Sequence, residues 1–383
     1  MGTMANELSL GCDCLGQIHY LVRPPSANCI DPYTLQPGVY MSQDGSPFTI
    51  DNVICIHEED SGVLWKHADY RPGGRTQTVR RRRLVVSMVC TLANYEYIWN
   101  YHFYQDGSVE FEIRLTGILN VYVARDGEPS PYGTIVAPGI NAHLHQHMFS
   151  VRVDPMLDGL DNAVVESDIV SLPYPTGSKE NYAGNGFYVE ERRVDEESGR
   201  DSDWLKERRW KVINPSKRHY ASGKPIGYSI HLKGGATPLL GRPDSWTAAR
   251  AGVLKHPIWV TKDVEDEVNG GGSLRMWPAG KYVPQTRSQP EDSVPSWVEN
   301  GQQLDVEKGE DVLVWLTVGT THVPRPEDWP VMPAETLSVM FKPNGFFGCN
   351  PSMDVPGLKD ACSVPASMPG ATASTGNGCC GTD

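Results

Sequence analysis

Proline and glycine interrupt this chain so often that long helices have little room to form. The 383 residues include 30 prolines and 38 glycines, and apolar residues at helical spacing are scarce. Proline inside a helix removes a hydrogen bond and clashes with the preceding turn, and glycine lowers helix stability. The short runs between these breaks are rich in β-branched and aromatic residues, as strands are. The clearest are RLVVSMV (83–89), VEFEIRL (109–115), NVYVA (120–124) and DVLVWLTV (311–318). We therefore predict an all-β sandwich or barrel, with a hairpin turn at Asp106-Gly107.

No linker divides the body of the chain. A length of 383 residues suggests two or three domains, although large all-β domains often exceed the average length. We find neither an internal repeat nor a linker composition, so residues 1–356 are predicted to form one domain. The tail, residues 357–383, is rich in Ser, Pro, Gly and Ala and is predicted to be disordered.

The charge balance restricts the partners. A net charge of −13 repels nucleic acid and anionic membranes, so neither is expected to bind. The one basic run, VRRRR (79–83), is predicted to be a solvated strand or hairpin. No segment has the roughly 20 apolar residues of a membrane span.

Targeting and cysteine patterns leave the compartment open. The first residues lack the basic and apolar regions of a secretory signal, and the chain does not end in Ser-Lys-Leu. Nine cysteines match no zinc-ribbon spacing. A cytoplasmic or peroxisomal location is favoured over secretion.

An aromatic cluster occupies NYEYIWNY, residues 94–101. Odd positions of a strand point to one face, so Tyr95, Tyr97, Trp99 and Tyr101 are predicted to share a face. The pattern fits a packed hydrophobic stripe, and it also fits a tyrosine that does chemistry within such a stripe.

Three histidines alternate in NAHLHQHMFS. On a strand, His143, His145 and His147 would project from one face, which suits a metal site as well as hydrogen-bonded surface histidines. Imidazole ligands suit Zn, Cu, Ni and Fe alike, and the spacing does not decide which histidines bind. A further ligand could come from a distant position. The candidates are His322, His256, His231, His102, His67, His57 and His19.

Three motifs in order resemble the catalytic domain of the copper amine oxidases, the topaquinone-containing primary amine oxidases. TLANYEY (91–97) resembles the family's T-x-x-N-Y-[DE]-Y, with the cofactor tyrosine at Tyr95. HQH resembles the H-x-H copper ligands with His145 and His147, and HVPRPEDWPVMP resembles the segment of the third ligand with His322. The resemblance extends from about residue 4 to about residue 354.

The resemblance implies the fold, the cofactors and the reaction. The fold would be a large antiparallel β-sandwich, incomplete at its N-terminal side. Cu²⁺ would be held by His145, His147 and His322, with His143 left out, and copper and dioxygen would convert Tyr95 to topaquinone. The reaction would be the oxidative deamination of a primary amine to an aldehyde, ammonia and hydrogen peroxide, with the quinone as electron acceptor.

Residues beside the precursor tyrosine receive secondary roles. Asn94 and Glu96 are expected to restrain the cofactor ring. Tyr97 is either a hydrogen-bonding neighbour or a packing residue, and packing is favoured. Trp99 and Tyr101 are expected to be core residues.

Two residues of the third motif have open roles. Asp328 either orients a ligand histidine or is an ordinary surface carboxylate. Met332 either packs near the metal or is a core methionine.

The resemblance also implies a second metal site and a disulfide. Asp154 and Asp311, with the carbonyl groups of Pro155 and Val312, match a peripheral Ca²⁺ or Mn²⁺ site. Met156 stands where many members carry another acid, so this site is expected to be weak. Cys14 and Cys55 match a family disulfide, which would contribute about 2–4 kcal/mol.

The family's general base is an aspartate in an F-D-x-G-E-Y-G motif, and it has no counterpart here. We expect it upstream of Met1, and Asp13 does not match the motif. The favoured explanation is a fragment of a full-length oxidase. The alternatives are a non-enzymatic, truncated copper-binding β-sandwich remnant and another β-fold metalloenzyme, such as a cupin-type oxygenase.

The resemblance implies a homodimer that acts on a primary amine and dioxygen. Family members exchange hairpin arms between subunits, and residues 57–83 contain a candidate arm. The sequence does not identify the amine.

Overall fold

The computed structural model describes most of the chain in two compact units. It covers residues 4–15, 18–20, 39–41, 44–69, 71, 76–125, 127–128, 130–233, 237–266, 268, 271–280 and 288–357. Unit 1 comprises Met1–Cys90, Asn100–Val109 and Cys349–Asp383, and unit 2 comprises Thr91–Trp99 and Glu110–Gly348. Of the predicted disordered tail, residues 358–383 lie outside the described part. The single domain over residues 1–356 stays a prediction.

The strands confirm the all-β, antiparallel fold. They are β1 (Ile18–Tyr20), β2 (Val39–Met41), β3 (Pro47–Thr49), β4 (Cys55–Ala68), β5 (Thr76–Leu92), β6 (Tyr95–Tyr104), β7 (Val109–Gly117), β8 (Val121–Val123), β9 (Gly133–Ala137), β10 (Ile140–His143), β11 (His145–Val153), β12 (Asp161–Ser171), β13 (Phe187–Arg193), β14 (Ser198–Arg200), β15 (Arg209–Arg218), β16 (Pro225–Lys233), β17 (Ile258–Lys262), β18 (Glu310–His322) and β19 (Met332–Asn344). The four runs predicted as strands correspond to β5, β7, β8 and β18, and only NVYVA extends beyond its strand, by one residue at each end.

Helical segments are short, as the proline and glycine content predicts. The α-helices are α1 (Trp246–Arg250) and α2 (Val294–Glu299), and single 3₁₀ turns lie at Trp204–Lys206, Gly252–Lys255, Pro326–Asp328 and Pro351–Asp354. Within the described ranges, no helix has the length and apolar character needed to cross a bilayer.

The β4–β5 hairpin of unit 1 explains the basic run. β4 pairs with β5 in antiparallel register, with Glu59 opposite Arg83. Arg83 Nε donates to Glu59 at 2.8 Å, and Arg82 Nε donates to Glu58 at 2.6 Å. The acidic residues of one strand thus neutralise the basic residues of the next, which confirms the prediction of a hairpin strand for VRRRR. The predicted turn at Asp106-Gly107 is also present, with Gly107 at φ 78°.

The two cysteines of the predicted disulfide lie in one buried cluster of unit 1. Cys14 and Cys55 are both buried and pack with Leu8. Burial and the neighbouring Cys14 raise the pKa of the Cys55 thiol to about 12. The disulfide stays a prediction. Cys29, which lies between Cys14 and Cys55 in the sequence, is outside the described residues.

Unit 2 is built on an antiparallel sheet with the strand order β7-β19-β16-β15-β12-β18-β17-β14. β11 also pairs with β18, and β8, β10 and β9 form a smaller sheet. Most of β18 is buried, and Leu313 and Trp315 pack with Trp259 and with Val294 of α2. β18 is therefore fixed on one face by the core, and its register with β11 positions the histidines described next.

Candidate functional site

Neighbouring strands bring the histidines of two distant motifs together. β11 runs antiparallel to β18, and the register places His145 directly opposite His322 and His147 opposite Thr320. Directly opposed residues of antiparallel strands lie about 4.5–5.5 Å apart, close enough for side chains to share a ligand. The ring centroid of His145 lies 4.7 Å from that of His147 and 5.0 Å from that of His322.

The three imidazoles present a compact group of nitrogen atoms. One nitrogen from each of His145, His147 and His322 lies within 4.8 Å of the others. The two Nε2 atoms of His145 and His147 are 2.9 Å apart. Two ring nitrogens at this distance are stabilised when a proton or a cation lies between them. The group therefore has the donor type and spacing of a transition-metal site.

In each ring, the nitrogen that faces the other two rings is the inner nitrogen and the other is the outer nitrogen. Each outer nitrogen has a hydrogen-bond partner, so the inner nitrogen is available to bind a metal. His145 Nδ1 donates to the carbonyl oxygen of His143 at 2.8 Å, and His322 Nε2 donates to Asp328 Oδ2 at 3.2 Å. His147 Nδ1 lies 2.9 Å from the hydroxyl of Tyr97. His322 Nδ1 is buried and has no hydrogen-bond partner among the described residues. Metal-binding histidines usually have this arrangement, so the residues fit a bound copper ion.

Burial favours the neutral form of His145 and His147. It lowers the pKa of His145, and burial together with His145 and His322 lowers the pKa of His147 to about 4. A neutral imidazole is the form that binds a metal, so two of the three rings are prepared for ligation at neutral pH.

Asp328 is a buried carboxylate that holds His322, not the surface acid of the alternative interpretation. Its side chain is 2% exposed. Burial alone would raise its pKa, but hydrogen bonds from Arg325 and His322 outweigh that effect and hold the pKa at about 2. The ionised carboxylate can therefore orient the imidazole across the physiological pH range.

The phenol of Tyr95 lies beside this nitrogen group. Its oxygen is 3.0 Å from His145 Nε2, and the backbone N–H of Asn120 donates to it at 3.1 Å. Tyr95 is 8% exposed, and burial raises its pKa, so the side chain is a neutral phenol. The tyrosine predicted to be the cofactor precursor is thus in direct contact with a predicted ligand.

Gly117 packs closely against the backbone of Tyr95. It has φ +111°, and a Cβ atom there would lie 2.6 Å from the Asn94 oxygen and 2.8 Å from the Tyr95 Cα. Ile118 N then donates to the Asn94 oxygen at 2.7 Å. The close approach requires glycine on both steric and conformational grounds.

Gly117→Ala is expected to destabilise the protein more than an alanine at a glycine with free space. Gly223 is the matched control, because it also has positive φ (+66°) but no atom within 4 Å of the added Cβ. Both variants carry the left-handed penalty of about 1–2 kcal/mol. Gly117→Ala adds overpacking of about 1–3 kcal/mol. Urea denaturation measures both, and equal losses would contradict the steric argument.

The residues beside Tyr95 have other contacts. The carboxylate of Glu96 accepts hydrogen bonds from Thr91 Oγ1 at 2.8 and 3.0 Å. Asn94 is exposed, and its carbonyl group receives Ile118 N. Through these contacts, both residues stabilise the start of β6, where Tyr95 lies. A role in restraining the cofactor ring stays a prediction.

The expectation that His143 shares a face with the other two histidines is wrong. The strand is broken at Leu144, since β10 ends at His143 and β11 begins at His145. The His143 ring stacks on Tyr122 at 5.1 Å. His143 contributes its backbone carbonyl group to the site and not its imidazole.

The aromatic residues at odd positions are buried only as far as Trp99. Tyr95, Tyr97 and Trp99 are buried, whereas Tyr101 is 49% exposed, so its assignment to the core is wrong. The burial pattern of β6 changes phase at Asn100, where two successive residues are buried. Trp99 is a core residue, as expected. Tyr97 packs in the core and also makes a hydrogen bond, which the preference for packing alone missed. Met332 is buried at the start of β19.

A second group of possible ligands consists of acids. Asp154, Asp263 and Asp311 offer carboxylate oxygens within 4.8 Å of one another. Asp311 Oδ1 is buried without a hydrogen-bond partner among the described residues, and burial and the other two acids raise its pKa. Arg152 donates to Asp154 at 3.1 Å and to Asp263 at 3.2 Å, so it neutralises part of this charge. Sequence reasoning missed Asp263, whose only signal was its place directly after a strand.

Comparisons with known proteins agree with the motifs. The family model described as "Copper amine oxidase, enzyme domain" matches residues 1–361. "Copper amine oxidase 1" of Schizosaccharomyces pombe is 43% identical over 364 residues, which cover 94% of this chain and 48% of that protein. The "Peroxisomal primary amine oxidase" of Pichia angusta is 40% identical, over 92% of this chain and 48% of that protein. The chain therefore spans about half the length of these curated relatives.

A solved structure shows the same fold. The crystal structure of a copper-containing benzylamine oxidase from Hansenula polymorpha matches with a TM-score of 0.81 and 33% sequence identity. The match covers 93% of this chain and 51% of that chain.

Proposed function

Because this chain belongs to the copper amine oxidase family, we propose that it is the part of a primary amine oxidase that holds copper and carries the cofactor tyrosine. The observation that carries the proposal is the contact between the Tyr95 phenol and the histidine group. The phenol oxygen lies 3.0 Å from His145 Nε2, in a group of three buried or half-buried imidazoles.

In this proposal His145 and His147 bind Cu²⁺ through Nε2 and His322 binds through Nδ1. Bound copper, with dioxygen, would supply the oxidising power that converts the phenol of Tyr95 to topaquinone, the electron acceptor for amine oxidation.

The chain's own residues prepare the phenol for this chemistry. Asn120 N–H donates to the phenol oxygen and would still hold it when copper occupies His145 Nε2, and Gly117 leaves room for the backbone of Tyr95. Burial of Tyr95 limits access of water. Positioning of reacting groups before reaction is a major source of rate enhancement in enzymes.

The substrates of the whole protein would be a primary amine and dioxygen, and the products an aldehyde, ammonia and hydrogen peroxide. A homodimer with exchanged arms remains a proposal, for which the β4–β5 hairpin is the candidate arm. A peroxisomal or cytoplasmic location likewise remains a proposal, and the Pichia angusta relative is named as peroxisomal.

The acidic group is proposed as a second, weaker site for a hard cation such as Ca²⁺ or Mn²⁺. Oxygen ligands suit such ions, and the buried oxygen of Asp311 has no other partner among the described residues. Arg152 competes for two of the three carboxylates, which would lower the affinity.

Aerobic copper loading of the metal-free chain tests the proposal. We expect a stain that detects redox-active quinones to become positive, phenylhydrazine to form a coloured adduct, and peptide mass analysis to locate the change at Tyr95. Zinc loading is the matched control, because zinc suits the same ligands but is not redox-active. An unmodified Tyr95 after copper binding would reject the cofactor proposal.

An amine panel then separates the enzyme from the alternative. An oxidase releases aldehyde and hydrogen peroxide from at least one primary amine. A copper-binding protein without catalytic function would take up copper and release neither product.

A further inference from the structure

Two tyrosines of β6 contact the histidine pair of β11 in different ways. Tyr95 touches His145 at Nε2, a nitrogen of the inner group, at 3.0 Å. Tyr97 touches His147 at Nδ1, the outer nitrogen, at 2.9 Å. Both phenols are buried, at 8% and 9% exposure. Although the residues are chemically identical and two positions apart, only one phenol oxygen lies on the metal-facing side.

The Tyr97 hydroxyl can accept a hydrogen bond from His147 Nδ1 when that nitrogen carries the proton. A metal on Nε2 requires a lone pair there, so the hydrogen must be on Nδ1. In that tautomer Nδ1–H donates to the Tyr97 oxygen. His147 is 8% exposed, so without the phenol the N–H would lack a protein acceptor at this position. A buried donor without a partner is unfavourable, and the tautomer needed for binding would be disfavoured.

The outer partners of the other two rings differ in kind. His145 uses a backbone carbonyl group, which no substitution removes, and His322 uses the ionised carboxylate of Asp328. The contact from Tyr97 is a neutral side-chain hydrogen bond. It can be deleted by the loss of one oxygen atom, without a change in charge or ring volume.

The ring of Tyr97 is also confined by its neighbours. It lies 6.3 Å from the ring of Trp99, nearly parallel, and 5.8 Å from Phe149 in an edge contact. Rotation of the phenol towards the inner nitrogens would disrupt both contacts. The packing therefore holds the oxygen at Nδ1.

We propose that Tyr97 is a positioning residue that supplies the acceptor for His147 Nδ1–H when His147 binds a metal through Nε2, and that the same contact keeps Tyr97 itself from being modified. This inference rests on the proposed copper site. Residues that support metal ligands in this way typically change metal affinity about 10- to 100-fold when removed.

The test uses proteins in which Tyr95 cannot form the cofactor, so that metal binding is measured alone. Copper affinity is determined by competition with a chromogenic chelator for Tyr95→Phe and for the double variant Tyr95→Phe/Tyr97→Phe. We expect affinity to fall about 10- to 100-fold in the double variant, with an altered Cu²⁺ electron paramagnetic resonance spectrum. Tyr95→Phe/Tyr122→Phe is the control, because Tyr122 stacks on His143, whose imidazole is not a proposed ligand.

The outcomes separate the inference from the proposed function. Copper binding that is equally tight in the double variant would overturn the positioning role and leave the copper site standing. A lower melting temperature with unchanged affinity would show that Tyr97 is merely structural and would also overturn it. Absence of copper binding in Tyr95→Phe would overturn both.

Peptide mass analysis tests the second half of the inference. After aerobic copper loading of Tyr95→Phe, Tyr97 is expected to keep its original mass. Addition of oxygen to Tyr97 would show that its contact with Nδ1 does not protect it, and would overturn that part.

Discussion

Tyr95→Phe is expected to abolish copper-dependent modification of this chain completely while copper remains bound. The substitution removes the phenol oxygen, which lies 3.0 Å from His145 Nε2, and retains the ring contacts with His145 and His147. The three imidazoles keep their outer hydrogen bonds, so the metal-binding nitrogens stay in place. The quinone stain and the phenylhydrazine adduct should both be lost, and inductively coupled plasma mass spectrometry should still find copper.

The control for this prediction is Tyr101→Phe, on the same strand. Tyr101 is 49% exposed and belongs to unit 1, so its loss should leave staining unchanged. A Tyr95→Phe protein that still stains for quinone would mean that another residue is modified. The variant should also lose about 0.5–1.5 kcal/mol of stability, because the part-buried hydrogen bond from Asn120 N–H loses its acceptor.

His145→Ala is expected to remove high-affinity copper binding, whereas His143→Ala should leave it intact. His145 contributes one of the three inner nitrogens, and no other described histidine belongs to that group. Loss of a direct ligand should weaken binding by more than the roughly 100-fold upper value for a supporting residue. Chelator competition on the metal-free protein measures both variants.

His143→Ala is a strict control because alanine retains the backbone carbonyl group. That carbonyl oxygen accepts the hydrogen bond from His145 Nδ1 at 2.8 Å, and the imidazole itself only stacks on Tyr122. If His143→Ala lost copper as severely as His145→Ala, the assignment of ligands from this register would be wrong. Circular dichroism of both proteins would identify any loss of folding.

The sequence motifs predicted the chemical groups of the site better than the geometry around them. Tyr95, His145, His147 and His322 were all named from the resemblance, and the structure brings these four side chains together. Alternation alone predicted a third imidazole on the same face. It failed because the strand is broken at Leu144, and a one-residue interruption changes which side a residue faces.

The prediction that Tyr101 is a core residue was also wrong. The buried positions of β6 change from odd to even at Asn100, so Tyr101 is exposed although Trp99 is buried. Nothing in IWNYHF marks this change, because no glycine or proline interrupts the run. Asp263 was missed because acids after strands are common, and its two carboxylate neighbours lie about 50 or more positions away.

Local sequence patterns were enough to predict the strands, the turns and the histidine and tyrosine residues of the candidate site. These properties depend on neighbours along the chain, such as alternation, β-branched side chains and turn residues. The tertiary structure alone decided which histidine nitrogens meet, which tyrosine touches them and which acid supports them. These depend on the register between β11 and β18, where His145 meets a residue 177 positions away. Individual side-chain contacts hold that register, because β18 is buried on both faces and a slip would remove Trp315 from its contacts with Trp259 and Val294.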